Sequence, residues 1–525
     1  MEGTTTSSKA FASVTMASIS YPIVTDLTVH FSSHSVSTCE PDSRIWHRIE
    51  KDLYLHASDQ RAWVYIALAN EQELAAKDLL VMDITVGDPP QNSESSWERR
   101  PGGIWVRRGE FNGKIDDFVT EVDVLFGMDA VDPRPEWALI RSPIQLKGQG
   151  DISVARLSIL HGRAKLRPRA ALRVRDDGKF RIVQISDTHM VTDVGLCKDA
   201  IDAHGNHLPW TEADPLTVKF IGEILDIEKP DLVILTGDQL HHDIRDSQSA
   251  LFKVVAPIIE RSIPFAAVFG NHDSEGTHAL SRTEQMRVLE SLPYSLCEPG
   301  PDLVNGIGNF YLQVLAPAPS RLPLSTLYCL DSHGGIPSTT RHPDYTPIDQ
   351  SQIAWFTDIA LTRRIACKNG DVNNSFHLSI AFLHIPLPEF GDPSLIIRNG
   401  HRGEPSESPS RNTHFYDALA AGGVQALGCG HDHVNDFCGL LPLAGTNSHR
   451  LWLCYAGGAG FGGYCSYGRT RFHRRMRVWE LSTNTGSLTT WKRVEYCKDR
   501  VDELLLVESG AVVDNFGEDD GVKGC

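Results

Sequence analysis

Five times between Phe180 and His433 a short apolar run stops at a polar loop that carries Asp, Asn or His. The runs are Phe180 to Ile185, Asp231 to Leu235, Ile263 to Val268, Leu378 to Leu383 and Val424 to Leu427. Segments this short, bounded by Gly and polar residues, are expected to be buried strands. Helical spacing lies between them, as in Leu216, Phe220, Ile224 and Ile227, after the Asp214-Pro215 start and before Pro230. A second helix is expected around Ser249 to Arg261, and Ser281-Arg282-Thr283-Glu284 has the form of a capping box. Strand, polar loop, helix, strand is the order of a layered α/β domain.

The loops themselves carry ligand chemistry. Asp187 and His189 lie two apart, so an extended backbone would point both to one side, where one metal ion could take a carboxylate oxygen and an imidazole nitrogen. Asp238 follows the next strand, and a carboxylate has two oxygens with which to bridge two cations. Phe269-Gly270-Asn271-His272-Asp273 offers an amide oxygen, an imidazole and an acid after a glycine that allows a sharp turn. His384 alone reads as a structural histidine. His431 and His433 follow Gly430, and a loop there can face them to one ion or to two. Each motif has a structural explanation by itself. As an ordered set at strand ends, they point to a metal site.

Asp187-x-His189, Gly237-Asp238, Gly270-Asn271-His272-Asp273, His384 and Gly430-His431-x-His433 resemble, in order, the motifs of the calcineurin-like metallophosphoesterase superfamily. Longer strings such as His384-Ile385-Pro386-Leu387-Pro388-Glu389 are similar to the fungal and plant branch labelled purple-acid-phosphatase-like. The resemblance implies an α/β fold of four layers, two facing mixed sheets flanked by helices. It implies two metal ions, iron, manganese or zinc. One would be held by Asp187, His189, Asp238 and His433, the other by Asp238, Asn271, His384 and His431. A metal-bridging hydroxide would attack phosphorus in line, with His272 as proton donor and Asp273 either orienting it or stabilising the loop. The implied activity is hydrolysis of phosphate monoesters, on small molecules or phosphoproteins. A phosphodiesterase and a non-catalytic regulator that keeps the fold are the alternatives. Two features depart from relatives within the superfamily. No tyrosine follows Asp187-Thr188-His189, so an iron-tyrosinate chromophore is not expected, and Asp238-Gln239-Leu240 lacks the phosphate-gripping arginine of the large Ser/Thr phosphatases.

Composition bounds the rest. The formal charge of -17 argues against nucleic acid or an anionic membrane as the main partner, although bound cations can reverse the field locally. Eleven cysteines without a CxxC are read as reduced thiols, and hence as a reducing compartment. No signal-type apolar core occupies the first twenty residues, and no run of about eighteen apolar residues occurs, so the expectation is a cytoplasmic chain without a membrane span.

The 525 residues are expected to hold more than one domain. Short β-branched runs such as Leu79 to Val86 suggest a β-rich accessory domain over 21–163, after a disordered 1–20, with a scaffolding or partner-recruiting role. A basic linker, 164–178, leads to the metallophosphoesterase domain at 179–490, and a partly disordered tail follows over 491–525. Tyr455 to Tyr464 is rich in glycine but lacks a phosphate-loop lysine, so it is read as a flexible turn near the site. Cys197 to Trp210 is read as a surface insertion.

Overall fold

The computed structural model describes residues 21–33, 41–56, 60–89, 97–148, 152–165, 169–208, 210–337, 344–369, 376–442 and 450–514. The expected disordered N-terminus, residues 166–168 of the expected linker and the last part of the expected tail lie outside the described residues. The chain divides into two compact units, one of Met1–Asp123, Ile140–Gly148 and Leu157–Lys165, the other of Val124–Leu139, Gln149–Arg156 and Leu166–Cys525.

The first unit contains two antiparallel three-stranded sheets. Pro22–Ser33, Gln60–Asn70 and Trp46–Arg48 form one; Leu79–Val86, Ile104–Glu110 and Trp97–Arg100 form the other. Ile23, Leu80, Ile115 and Phe118 pack together at its core.

The second unit is built on two seven-stranded mixed sheets. Its strands are β1 Lys179–Ile185, β2 Leu232–Thr236, β3 Phe265–Val268, β4 Phe310–Leu315, β5 Pro323–Cys329, β6 Leu378–Phe382, β7 Ile396–Asn399, β8 Ala426–Cys429, β9 Cys438–Leu440, β10 Trp452–Tyr455, β11 Arg475–Ser482, β12 Ser487–Val494, β13 Val501–Glu508 and β14 Ala511–Val512. The first sheet runs β3-β2-β1-β11-β12-β13-β14, and the second runs β4-β5-β6-β8-β10-β9-β7. β1, β2 and β3 are mutually parallel, as are β5, β6, β8 and β10. Parallel neighbours end on the same side, so the loops after them converge.

Alternation along each strand divides the core into layers. Phe180, Ile182, Leu232 and Ile234 pack with Leu327, Ile380, Phe382 and Trp452 between the two sheets. Val183, Ile185, Val233 and Leu235 point the other way, onto helices α1 Ala213–Glu228, α2 Ser247–Glu260 and α3 Arg282–Ser291. Ala381, Leu383 and Leu427 meet Phe356 of α4 Gln350–Asn369 and Leu419 of α5 Phe415–Ala421 on the far side. Helices, sheet, sheet, helices are the four layers that the resemblance implies. α3 carries the capping box read from its sequence, with Ser281 accepting from the Glu284 amide.

Two expectations are corrected. The expected tail from 491 begins inside β12, and β13 and β14 extend the sheet beyond it, with Leu504, Leu506 and Val507 packed between the sheets. β11 is central in its sheet, with β1 paired on one edge and β12 on the other. Cys438 and Cys454, read as thiols, are bonded to each other across neighbouring strands β9 and β10, a proximity made by register and not by sequence spacing. No helix among the described residues is long and apolar enough to cross a membrane.

A buried ion cluster ties β11 and β12 to the segment after the last ligand loop. Asp436 lies 2.6 Å from Arg475 and 2.8 Å from Lys492, and its other oxygen accepts the His401 amide at 2.7 Å. Burial opposes ionisation of Asp436, yet the two cations hold its carboxyl well below the ordinary value of 3.8. Removing one member strands buried charge, so Asp436→Ala is expected to lower unfolding stability by about 3–5 kcal/mol at pH 7, measured by denaturant titration. A depressed folded value means this stability is complete above the unfolded value and is lost as pH falls through the folded one. The gap between parent and variant therefore stays constant from neutrality to about pH 5 and narrows only below about pH 4.

Candidate metal centre

All seven predicted ligands lie in the loops after β1, β2, β3, β6 and β8, and two groups of donor atoms form there. Asp187, His189 and His433 make one group; Asp238, His384 and His431 make the other, with the donor atoms of each within 4.8 Å of one another. One oxygen of Asp238 stands between the groups: Oδ2 is 3.2 Å from His384 Nε2 and 3.8 Å from His189 Nε2. His433 Nε2 is 3.0 Å from His189 Nε2 and 3.5 Å from Asp187 Oδ1. His431 and His433 thus go to different groups.

The backbone that delivers these side chains is not the extended one expected for Asp187-x-His189. Asp187, His189, Asp238 and His431 have φ of 56°, 47°, 50° and 77°. A left-handed turn after each strand folds the side chain back over the sheet end, at a cost of about 1–3 kcal/mol per residue. Backbone bonds between the loops hold it: Asp187 N–H donates to Gly237 O, and His189 N–H to Asp238 O, both at 3.0 Å. Gly270 is needed for close approach, since a Cβ there would lie 2.1 Å from Asp238 Oδ1.

Two observations test whether metal ions fit. His384 Nε2 and Asn271 Oδ1 are buried without a hydrogen-bond partner, although such atoms are ordinarily satisfied. Meanwhile His384 Nδ1 meets Thr236 O at 2.8 Å and His433 Nδ1 meets Tyr464 O at 2.7 Å, which places a proton on Nδ1 and turns each Nε2 towards the cluster. Burial opposes a charged His384, but Asp238 and Asp187 lift it to about 9, so its Nε2 also carries a proton that a bound cation would replace. Burial pushes His189 and His431 well below their ordinary value and His433 down to about 3, so these rings are neutral and able to ligate at pH 7. Burial raises Asp187 to about 7, a cost that a nearby cation would remove. The donor set, imidazoles, carboxylates and one amide oxygen without thiolate, suits iron, manganese or zinc.

Asp273 does not orient His272. Its carboxylate accepts the backbone N–H groups of Gly270 at 2.7 Å, Leu240 at 2.9 Å and Asp238 at 3.0 Å, and so clamps two ligand loops. The partner of His272 Nδ1 is Glu275, 2.5 Å away and one turn along the same short 3-10 segment. The i, i+3 spacing was the available signal for Glu275. Nor is the glycine-rich stretch a flexible turn. Ala456 to Gly463 is buried, and its amides bond Ser186 O, Asp187 O and His433 O at 2.9–3.0 Å, bracing the first and last loops. A Cβ at Gly463 would lie 2.6 Å from the His433 ring and 2.7 Å from that of His189. Tyr464 then stacks on His433 with ring centres 3.9 Å apart.

A model of the calcineurin-like phosphoesterase family matches residues 180–435. Phosphatase DCR2 of Saccharomyces cerevisiae is 35% identical over 395 residues, 72% of this chain and 64% of the yeast protein, so the chain spans less than two thirds of that relative. Probable inactive purple acid phosphatase 29 of Arabidopsis thaliana is 34% identical over 349 residues, 62% of this chain and 85% of the plant protein. A solved dimetal phosphatase from Danio rerio aligns with a TM-score of 0.40 and 14% identity over 63% of this chain and 99% of that one.

The packing generates two contrasts. Gly270→Ala is expected to displace Asp238 and reduce bound metal at least tenfold by elemental analysis of protein purified with excess manganese or zinc. Asp273→Asn, which keeps one accepting oxygen and turns an NH2 group against at least one of the three amide donors, should cost about 3 kcal/mol of stability. Glu275→Gln should leave stability within about 0.5 kcal/mol, as for an exposed substitution.

Proposed function

Because the chain belongs to the calcineurin-like phosphoesterase family, and within it to the purple-acid-phosphatase-like branch, we propose that it is a dinuclear metal-dependent phosphatase acting on phosphate monoesters, with phosphoproteins as one substrate class. The observation that carries this reading is the pair of donor groups sharing Asp238, with Asn271 Oδ1 buried beside them without a hydrogen bond. When bound, two cations supply charge stabilisation for the phosphoryl oxygens and acidify a water molecule towards neutrality.

The protein's own residues supply the rest. The loop backbones fix the donor atoms before substrate arrives, so little reorganisation accompanies the reaction. His272 stands at the cavity edge, its side chain 32% exposed, with Nε2 4.0 Å from Asp238 Oδ2. Burial works against a charged ring, but Asp238 and Glu275 lift its pKa to about 9. Glu275 at Nδ1 favours the protonated ring and turns Nε2 towards the cavity. A proton there suits the leaving oxygen of an alkyl phosphate. Tyr345 and Tyr464 wall the opposite part, beside His431 and His433.

A second reading is a binding protein that retains the fold, since the plant relative is named as probably inactive. Turnover separates the two. Metal-loaded protein is expected to hydrolyse both an alkyl and a nitrophenyl monoester, and Asp238→Asn to lose both. His272→Ala should slow the alkyl ester by about 10²- to 10⁴-fold and the nitrophenyl ester far less, because nitrophenolate leaves without a proton. Absence of turnover with two ions bound would favour the binding protein, and an equal loss on both esters would remove His272 as the proton donor.

A further inference from the structure

The cavity over the ligand cluster, about 410 Å³ in volume, is lined by Glu275, Glu404, Glu407 and Asp432 as well as by basic side chains. The rings of His241, His242 and His272 follow one another at 4.2 and 5.6 Å, and Lys198 Nζ meets His241 Nε2 at 3.0 Å. Among the described residues lining this cavity, Lys198 is the one lysine or arginine. Arg282, close by in an adjoining cavity, is already committed: its guanidinium bonds Asp331, Gly270 O, His333 O and Ser274 Oγ.

We propose that Lys198 grips the substrate phosphoryl group and makes the site prefer monoesters to diesters. This rests on the two-metal reading above. The ammonium is exposed, but its base is rigid: Lys198 N–H donates to Phe461 O at 2.9 Å, and its carbonyl accepts from buried Arg474 at 2.5 Å. His241 is fixed as well, with Nδ1 2.7 Å from Asp243 Oδ1 and its backbone N–H on Met190 O at 2.9 Å. The proton on Nδ1 goes to the carboxylate, so Nε2 accepts from Lys198, whose other two N–H groups remain for a ligand. The His241 ring is 6.0 Å from that of His189, which puts the ammonium one imidazole away from the ligand cluster. The same bonds argue against a third metal ion at His241, His242 and Asp243, although their donor atoms are close enough, because both nitrogens of His241 are engaged and a cation already stands at one of them.

Charge decides which substrate benefits. A monoester at neutral pH carries close to two negative charges on three terminal oxygens. A diester carries one charge on two terminal oxygens, and an ester group occupies the third position. A lysine is a point charge with free donors, suited to the extra oxygen of the monoester.

The test is calorimetric titration of inorganic phosphate into the metal-loaded full chain, parent beside Lys198→Met and Lys198→Arg, with monoester and diester kinetics in parallel. Lys198→Met is expected to weaken phosphate binding about 10- to 100-fold at unchanged metal content, with Lys198→Arg within a few-fold of the parent. In turnover, Lys198→Met should raise KM for the monoester, leave kcat within a few-fold and lower kcat/KM clearly less for the singly charged diester than for the monoester. Equal phosphate affinity in parent and Lys198→Met, or equal losses on both esters, would overturn the proposal, as would no phosphate binding with two ions present. Lys198-dependent phosphate binding without turnover of either ester would sustain the phosphate grip but overturn the monoester preference, and the phosphatase reading would fail.

Discussion

The carboxylate of Asp238 stands within 4.0 Å of three imidazoles, those of His384, His189 and His272, and much of the second unit serves to keep it there. Its own N–H is held by Asp273, its Oδ1 accepts the His272 N–H at 2.9 Å, and Gly270 leaves room beside it. These contacts require β1, β2 and β3 to be adjacent and parallel, so that their loops emerge together. They also require the second sheet to bring His384 and the two last histidines against the first. The apolar layer between the sheets does this, and its alternation is written into each strand.

The cost of such a site is electrostatic and conformational. Buried carboxylates and imidazoles lose hydration, and four ligand residues adopt left-handed backbone. The structure offsets part of this with backbone bonds between loops, the Asp273 clamp and the glycine-rich brace. It leaves Asn271 Oδ1 without a hydrogen bond and His384 Nε2 with only the Asp238 carboxylate, 3.2 Å away. Cations between the two donor groups are the simplest chemical means of satisfying them.

Much of this was legible in the sequence, for a physical reason. Short apolar runs fix strands, and ligand-type residues immediately after them fix which ends carry chemistry. Hence the ligand loops after β1, β2, β3, β6 and β8 stand where the strand-end reading put them. What escaped depends on long-range register or on exact loop conformation. Asp273 and Glu275 follow His272 by one and three residues, and only the turn decides which one faces the ring. The glycines of Tyr455 to Tyr464 signify freedom when read locally but close packing once His189 and His433 lie against them. Cys438 meets Cys454 through strand pairing. Lys198 reaches the cavity because its backbone is tied to Phe461 and Arg474, more than two hundred and fifty residues away.

The central claim is that this cluster holds two ions that share Asp238. Anomalous scattering from crystals grown with manganese or zinc tests it most directly. Two peaks are expected on either side of Asp238, one among Asp187, His189 and His433 and the other among Asn271, His384 and His431. A single peak, or peaks confined to His241, His242 and Asp243, would contradict it.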